Sequence, residues 1–121
     1  MALFHQHESC RGLTLLLWGR WSAELWYCPR GYEIKPHSHP HEDIELVPVF
    51  GWAAFHRCPA KGVLPETAVV TPRRWFRRHT VPMGWVHWFT VGRRLPLVFI
   101  NVARWREGVT PTSAATDFLP A

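Results

Sequence analysis

The chain has 121 residues and a formal net charge of +5, and 47% of its residues are hydrophobic. This length favours one domain with one modest core, and a disordered chain would be less hydrophobic. The basic balance permits a nucleic acid, a membrane surface or a small anion as partner and selects none of them. Eleven prolines and eight glycines interrupt the chain too often for long helices.

Short runs of β-branched and aromatic residues recur along the chain between glycine and proline signals. They predict strands at residues 13–18, 23–28, 42–50, 52–56, 67–70, 86–91 and 95–102. Many short strands without amphipathic helices favour an all-β sandwich or barrel. The small and turn-forming residues of segment 108–121 predict an extended arm rather than a second domain.

The start of the chain has no basic region followed by an apolar run, so we expect no signal peptide. The apolar run 13–18 is far too short to span a bilayer. Three cysteines that form no close pair in the sequence argue against a disulfide framework. We therefore expect a cytoplasmic protein without a membrane partner.

Histidines and acids alternate in one segment and suggest a metal site. They occupy every second position, at His37, His39, His41, Asp43 and Glu45. Alternate side chains of a strand point to the same face, so all five could converge. Imidazoles and a carboxylate on one face suit a divalent transition metal. A further ligand must come from elsewhere in the chain, and His87 is the candidate.

Two segments resemble the two sequence motifs of the cupin superfamily. The first motif is matched by Gly31, His37, His39 and Gly51. The second motif is matched by Pro82, Gly84 and His87. The resemblance covers residues 31–91 and implies a single-domain cupin over residues 1–121, a jelly-roll β-barrel. It also implies one divalent transition metal inside the barrel, with iron, manganese, nickel and zinc as candidates.

The ligand set can be assigned in two registers. The preferred register has the glutamate that is usual in the family, and its ligands are His39, His41, Glu45 and His87. The alternative register has the usual spacing from Gly31, and its ligands are His37, His39, Asp43 and His87. The family often has an asparagine four residues after the second-motif histidine, where this chain has Val91.

Aromatic and histidine side chains near the motifs are predicted to line a pocket around the metal. These pocket residues are His37, Trp52, Phe55, His79, Trp85 and Phe89. An apolar pocket with a few polar groups is typical of a small-molecule site. The alternative is that the aromatic rings simply fill the barrel core. Because small cupins often pair and edge strands need covering, the resemblance also favours a homodimer.

The resemblance implies a metal-dependent oxygenase, isomerase or lyase that acts on a small polar or anionic substrate. The sequence leaves open a non-catalytic ligand-binding or sensing module. A third hypothesis is an accessory protein that binds nucleic acid through a basic patch, formed by Arg73, Arg74, Arg77 and Arg78. The lack of a recognisable nucleic-acid motif makes this third hypothesis less favoured.

Overall fold

The computed structural model describes residues 3–74 and 79–121, and these residues form an all-β structure. Its strands are β1 (Phe4–His7), β2 (Cys10–Trp18), β3 (Trp21–Cys28), β4 (Glu33–Ser38), β5 (Glu42–Phe50), β6 (Ala53–Cys58), β7 (Glu66–Val70), β8 (His79–Val81), β9 (Val86–Val91), β10 (Leu97–Trp105) and β11 (Leu119–Pro120). A short 3-10 helix, Pro72–Arg74, follows β7. The prediction of an all-β fold is confirmed. Within the described residues, no helix is long and apolar enough to cross a membrane.

The strands form two antiparallel sheets. One sheet has six strands in the order β1-β2-β3-β10-β5-β8, and the other has five in the order β11-β4-β9-β6-β7. Alternate side chains of each strand enter the space between the sheets, as the burial of every second residue in β10 shows. The apolar core lies there and includes Trp26, Phe55, Phe89 and Phe99.

Seven strands overlap the runs that the sequence predicts. Four were not predicted, namely β1, β4, β8 and β11. β4 contains Pro36, which normally argues against a strand. Its ladder with β9 is irregular between Ile34 and His37, so the strand accommodates the proline at a break in the register.

The end of the chain is attached to the barrel rather than extended away from it. β11 pairs with β4, and Pro120 lies opposite His37. Further back, the Ser113 hydroxyl donates to Glu24 Oε2 at 2.7 Å. The predicted arm therefore follows the barrel wall beside β4.

Several large apolar side chains remain exposed on the outer face of the six-stranded sheet. They include Trp21, Tyr27, Val47 and Val49. Such a face is compatible with the homodimer expected from the sequence, which remains a prediction.

Gly51, between β5 and β6, is required by the backbone. Its φ of 81° lies in the left-handed region, and an added Cβ would lie 2.1 Å from the carbonyl oxygen of Pro96. Gly19, between β2 and β3, has φ of 59°, but nothing lies near its Cβ position. The two glycines separate the cost of the left-handed backbone from the cost of the close contact.

We predict that Gly51→Ala lowers the free energy of unfolding by more than about 2 kcal/mol, because strain and a backbone clash add together. Gly19→Ala should cost about 1 kcal/mol, because only the backbone conformation is unfavourable there. Denaturant unfolding of both variants measures the difference. Equal losses would mean that the contact with Pro96 is unimportant.

Candidate metal centre

Three histidines meet between the two sheets. His37 lies in β4, His39 follows its end, and His87 lies in β9 directly opposite His37. The ring centroids are 4.2 Å apart for His37 and His87, 4.9 Å for His37 and His39, and 5.0 Å for His39 and His87. One ring nitrogen from each lies within 4.8 Å of the other two. We call these residues the histidine trio.

Backbone carbonyls orient two of the three rings. His37 Nδ1 donates a hydrogen bond to the carbonyl oxygen of Lys35 at 2.7 Å. His39 Nδ1 donates to the carbonyl oxygen of Asp117. A carbonyl can only accept, so Nδ1 carries the proton in both rings and Nε2 keeps its lone pair. This is the arrangement by which proteins fix the tautomer of a metal-binding histidine.

Burial keeps the trio uncharged. Each of the three residues is at most 5% exposed. Desolvation lowers the pKa of His37 to about 4 and that of His39 to about 3, and it holds the pKa of His87 well below its usual range. The His37 ring further lowers the pKa of His39, and the rings of His37 and His39 further lower the pKa of His87. Neutral imidazole is the form that binds a metal, so the trio fits a divalent transition metal.

A buried carboxyl group adjoins the trio. Glu42 is 1% exposed, and neither of its carboxylate oxygens has a hydrogen-bond donor among the described residues. Oxygens of Glu42 and Asp117 lie within 4.8 Å of each other and of a nitrogen of His39. Burial, followed by the nearby Asp117, raises the pKa of Glu42 to about 10. The two carboxyl groups therefore need a proton or a cation between them, which is a second sign that the site suits a metal.

The alternation predicted from His37 through Glu45 is interrupted by a turn at Pro40 and His41. After the turn, Glu42, Ile44 and Leu46 point inward. Both acids that the sequence nominated as ligands therefore lie on the outer face of β5, at Asp43 and Glu45. Among the described residues, neither carboxylate belongs to a group of side chains that could hold a metal with the trio.

Asp43 of the alternative register and His41 of the preferred register both lie outside the trio and have other partners. Asp43 is exposed and accepts a hydrogen bond from the Met83 backbone N–H at 2.7 Å. The His41 ring is partly exposed and pairs with Asp117, with Nδ1 2.6 Å from Oδ1. The structure thus brings together the three histidines of the alternative register, and it brings neither predicted carboxylate to them.

The predicted pocket residues have different surroundings. Phe89 lines the cavity beside the trio, and the Phe55 ring lies 6.2 Å from that of His87. His79 is buried beyond Phe55, with 6.2 Å between the rings. Trp52 is largely exposed, and the Arg57 guanidinium lies 5.4 Å above the Trp85 ring. Phe55 and Phe89 therefore have their rings beside the trio.

The predicted basic patch is described only in part. Arg73 is exposed in the 3-10 helix, which ends at Arg74. Arg77 and Arg78 lie outside the described residues. The hypothesis of a nucleic-acid-binding surface gains no support from the described part.

Two cavities adjoin the trio and share His7 and His37 in their walls. The inner cavity, of about 40 Å³, is also bordered by His39, His87, Phe89 and Asn101. The outer cavity, of about 300 Å³, is also bordered by Gln6, Glu8, Lys35 and Phe118. The inner volume suits an ion with a few small ligands, and the outer one suits a small organic molecule.

Sequence reasoning missed three residues of this region. The His7 ring lies 5.2 Å from that of His37, although the sequence assigned His7 no site role. Neither Glu42 nor Asp117 is among the metal ligands and pocket residues predicted from the sequence. The Glu42 position could have been found only by predicting the turn before β5. His7 and Asp117 come from parts of the chain that are distant in sequence from the motifs.

Comparison with solved structures identifies the fold of the chain. No family model matches the chain, and no curated protein matches it. An uncharacterised Klebsiella pneumoniae protein with a double-stranded β-helix domain aligns over 96% of this chain and 87% of its own, with a TM-score of 0.66 and 18% identity. The fold is that of a cupin. The prediction of a cupin fold from the two motifs is thereby confirmed.

Two further solved structures resemble the chain at low identity. KdgF from Halomonas sp. aligns over 86% of this chain and 88% of its own, with a TM-score of 0.68 and 15% identity. Oxalate oxidase in complex with glycolate aligns over 71% of this chain, with a TM-score of 0.62 and 15% identity. This chain matches only 42% of the length of oxalate oxidase. At these identities the likeness concerns the fold.

We predict that the metal-free protein loses stability as the pH falls below about 6.5. The unfolded histidines then take up protons that the folded trio excludes, since their folded pKa values are lower. Each histidine contributes about 1.4 kcal/mol per pH unit down to its folded pKa. Urea unfolding in the presence of a chelator measures this dependence.

Glu42 has the opposite effect, because its folded pKa is raised from 4.5 to about 10. Its contribution to stability is present below about pH 4.5 and is lost as the pH rises toward 10. Glu42→Gln should therefore be more stable than the wild type at pH 8 and lose stability more steeply on acidification from 6.5 to 4.5. Glu66→Gln, at an exposed partner of Arg57, is the control. A Glu42→Gln variant no more stable than wild type at pH 8 would contradict this account.

Proposed function

We propose that this cupin binds one divalent transition metal through the histidine trio and uses it on a small polar or anionic molecule. The observation that carries the proposal is the meeting of three buried, neutral imidazoles within 4.8 Å. His37 and His39 would present Nε2 to the ion, and His87 would complete the trio. Iron, manganese, nickel and zinc are all compatible with imidazole ligands. When bound, such an ion supplies Lewis acidity or an open position for a substrate atom.

The residues around the trio suit a small anion. The outer cavity is bordered by Lys35, together with Glu8, His7 and Phe118. Lys35 can pair with a carboxylate, and Phe118 can cover an apolar part of the molecule. Since His37 borders both cavities, a molecule in the outer cavity would lie next to the trio. The glycolate complex of oxalate oxidase shows a small hydroxy acid bound to a protein of this fold.

Glu42 is the group best placed to hold a proton during a reaction. Its carboxyl group remains protonated at neutral pH because it is buried next to Asp117. A carboxylic acid kept neutral can donate a hydrogen bond or a proton to a developing anion. This supports an oxygenase or isomerase, two reaction classes in which a proton or oxygen atom moves on a small organic acid.

We predict that His37→Ala and His87→Ala each lower metal content at least about tenfold, because either change removes a ligand from a buried site. Glu45→Ala should retain full metal content, because Glu45 lies on the outer face of β5. His56→Ala is the matched histidine control, since its Nδ1 pairs with Thr67 on the exposed side of β6. Elemental mass spectrometry of protein purified without a chelator measures the content.

Loss of metal from Glu45→Ala with full retention by His37→Ala would instead favour the ligands His39, His41, Glu45 and His87. A wild-type chain that neither carries metal nor takes it up on titration would contradict the proposed function.

We predict that the Lys35→Ala variant of the metal-loaded protein binds glycolate about tenfold more weakly, because a charge-assisted hydrogen bond is lost. Lys61→Ala removes the other lysine of the chain, which is exposed on a loop, and should leave the affinity unchanged. Calorimetric titration measures the affinity, and product analysis under air shows whether the acid is converted. Binding without conversion of any small acid tested would favour the non-catalytic module. Equal affinities for the two lysine variants would exclude Lys35 from the site.

A further inference from the structure

Asp117 contacts the site at several atoms. Its backbone carbonyl accepts the hydrogen bond from His39 Nδ1. Its carboxylate accepts one from the His41 ring at 2.6 Å and one from the His41 backbone N–H at 3.1 Å. A carboxylate oxygen also lies within 4.8 Å of Glu42. One residue near the end of the chain thus holds both the second histidine of the trio and the turn that follows it.

The segment around Asp117 is itself fixed on both sides. Upstream, Ser113 and Ala114 donate to the two carboxylate oxygens of Glu24, at 2.7 and 3.1 Å. The Asp117 N–H donates to the Ser113 carbonyl at 2.9 Å. Downstream, β11 pairs with β4. Since Ser113 and Glu24 are both buried, the position of Asp117 is set by the barrel wall rather than by solvent-exposed contacts.

These contacts determine which nitrogen of His39 faces the trio. An imidazole can present either ring nitrogen by rotating about its last side-chain bond, and the Asp117 carbonyl fixes Nδ1 as the donor. The carboxylate then holds His41, two residues further on, by both its ring and its backbone. The turn between β4 and β5 therefore cannot shift without breaking the bonds to Asp117.

We propose that Asp117 is a positioning residue of the metal site and that the C-terminal segment 113–120 is an integral part of that site. This inference rests on the proposed function, because it assumes that the trio binds a metal. It adds that metal affinity depends on a residue that is not itself a ligand. Outer residues that orient metal-binding histidines typically contribute 10–100-fold to affinity.

The test compares Asp117→Ala, Asp117→Asn and Thr116→Ala in the full chain. Zn²⁺ affinity is measured by competition with a chromophoric chelator, and the visible spectrum of the Co²⁺-loaded protein reports the ligand geometry. Asp117→Ala keeps the backbone carbonyl that accepts from His39 but loses the carboxylate that holds His41 and the turn. We expect this variant to bind Zn²⁺ about 10–100-fold more weakly, with an altered Co²⁺ spectrum. Asp117→Asn should lose less affinity than Asp117→Ala, because its single amide oxygen can still accept one of the two hydrogen bonds from His41. Thr116→Ala is the control in the same segment, since it loses only bonds to Thr112 and Ser113.

The possible outcomes are separable. If the wild type binds neither Zn²⁺ nor Co²⁺, the proposed function itself fails. If the wild type binds and Asp117→Ala binds equally well, only the positioning role fails. If Asp117→Asn loses as much affinity as Asp117→Ala, the hydrogen bonds to His41 do not carry the effect, and the positioning role is again overturned.

Should Asp117→Ala not fold, His41→Ala takes its place. The His41 side chain is 40% exposed, so its removal is tolerable for folding. It deletes the ring that the Asp117 carboxylate holds and leaves the trio intact. We then expect about tenfold weaker Zn²⁺ binding, at the lower end of the range for outer residues. Unchanged affinity in this variant would overturn the proposal.

Discussion

The burial of three neutral imidazoles in one barrel is the constraint on which the site depends. Removing a titratable group from water is unfavourable unless the group is uncharged or paired. The trio remains uncharged, and backbone carbonyls satisfy Nδ1 of His37 and His39. These bonds leave nitrogen lone pairs facing a small internal space with few polar partners. Such a space is unfavourable when empty and favourable around a cation, which makes it suited to hold one.

Two strands, a turn and the C-terminal segment bring the side chains of the buried site together. The cross-strand register of β4 and β9 sets His87 opposite His37, which closes the trio from the second motif. The turn after His39 directs Glu42 inward, and the C-terminal segment brings Asp117 against both. Two sheets and the end of the chain therefore contribute to a single centre.

Much of the fold could be predicted from the sequence, because strand periodicity is a local property. The strand runs, such as the one predicted over residues 95–102, and the two cupin motifs led to the correct architecture. The ligand geometry was harder to predict, because the turn at Pro40 changes which residues of the following strand point inward. An error of one residue in the position of a strand assigns every side chain to the opposite face of the sheet. Asp117 could not be predicted, because only the folded chain brings it to His39. No local pattern marks such a residue.

The most direct test of the central claim is anomalous X-ray diffraction from crystals of the metal-loaded protein, measured at the absorption edge of the metal found. The account predicts one strong anomalous peak between the side chains of His37, His39 and His87. A peak at His41 and Glu45, or the absence of any peak at the trio in a protein that carries stoichiometric metal, would contradict it.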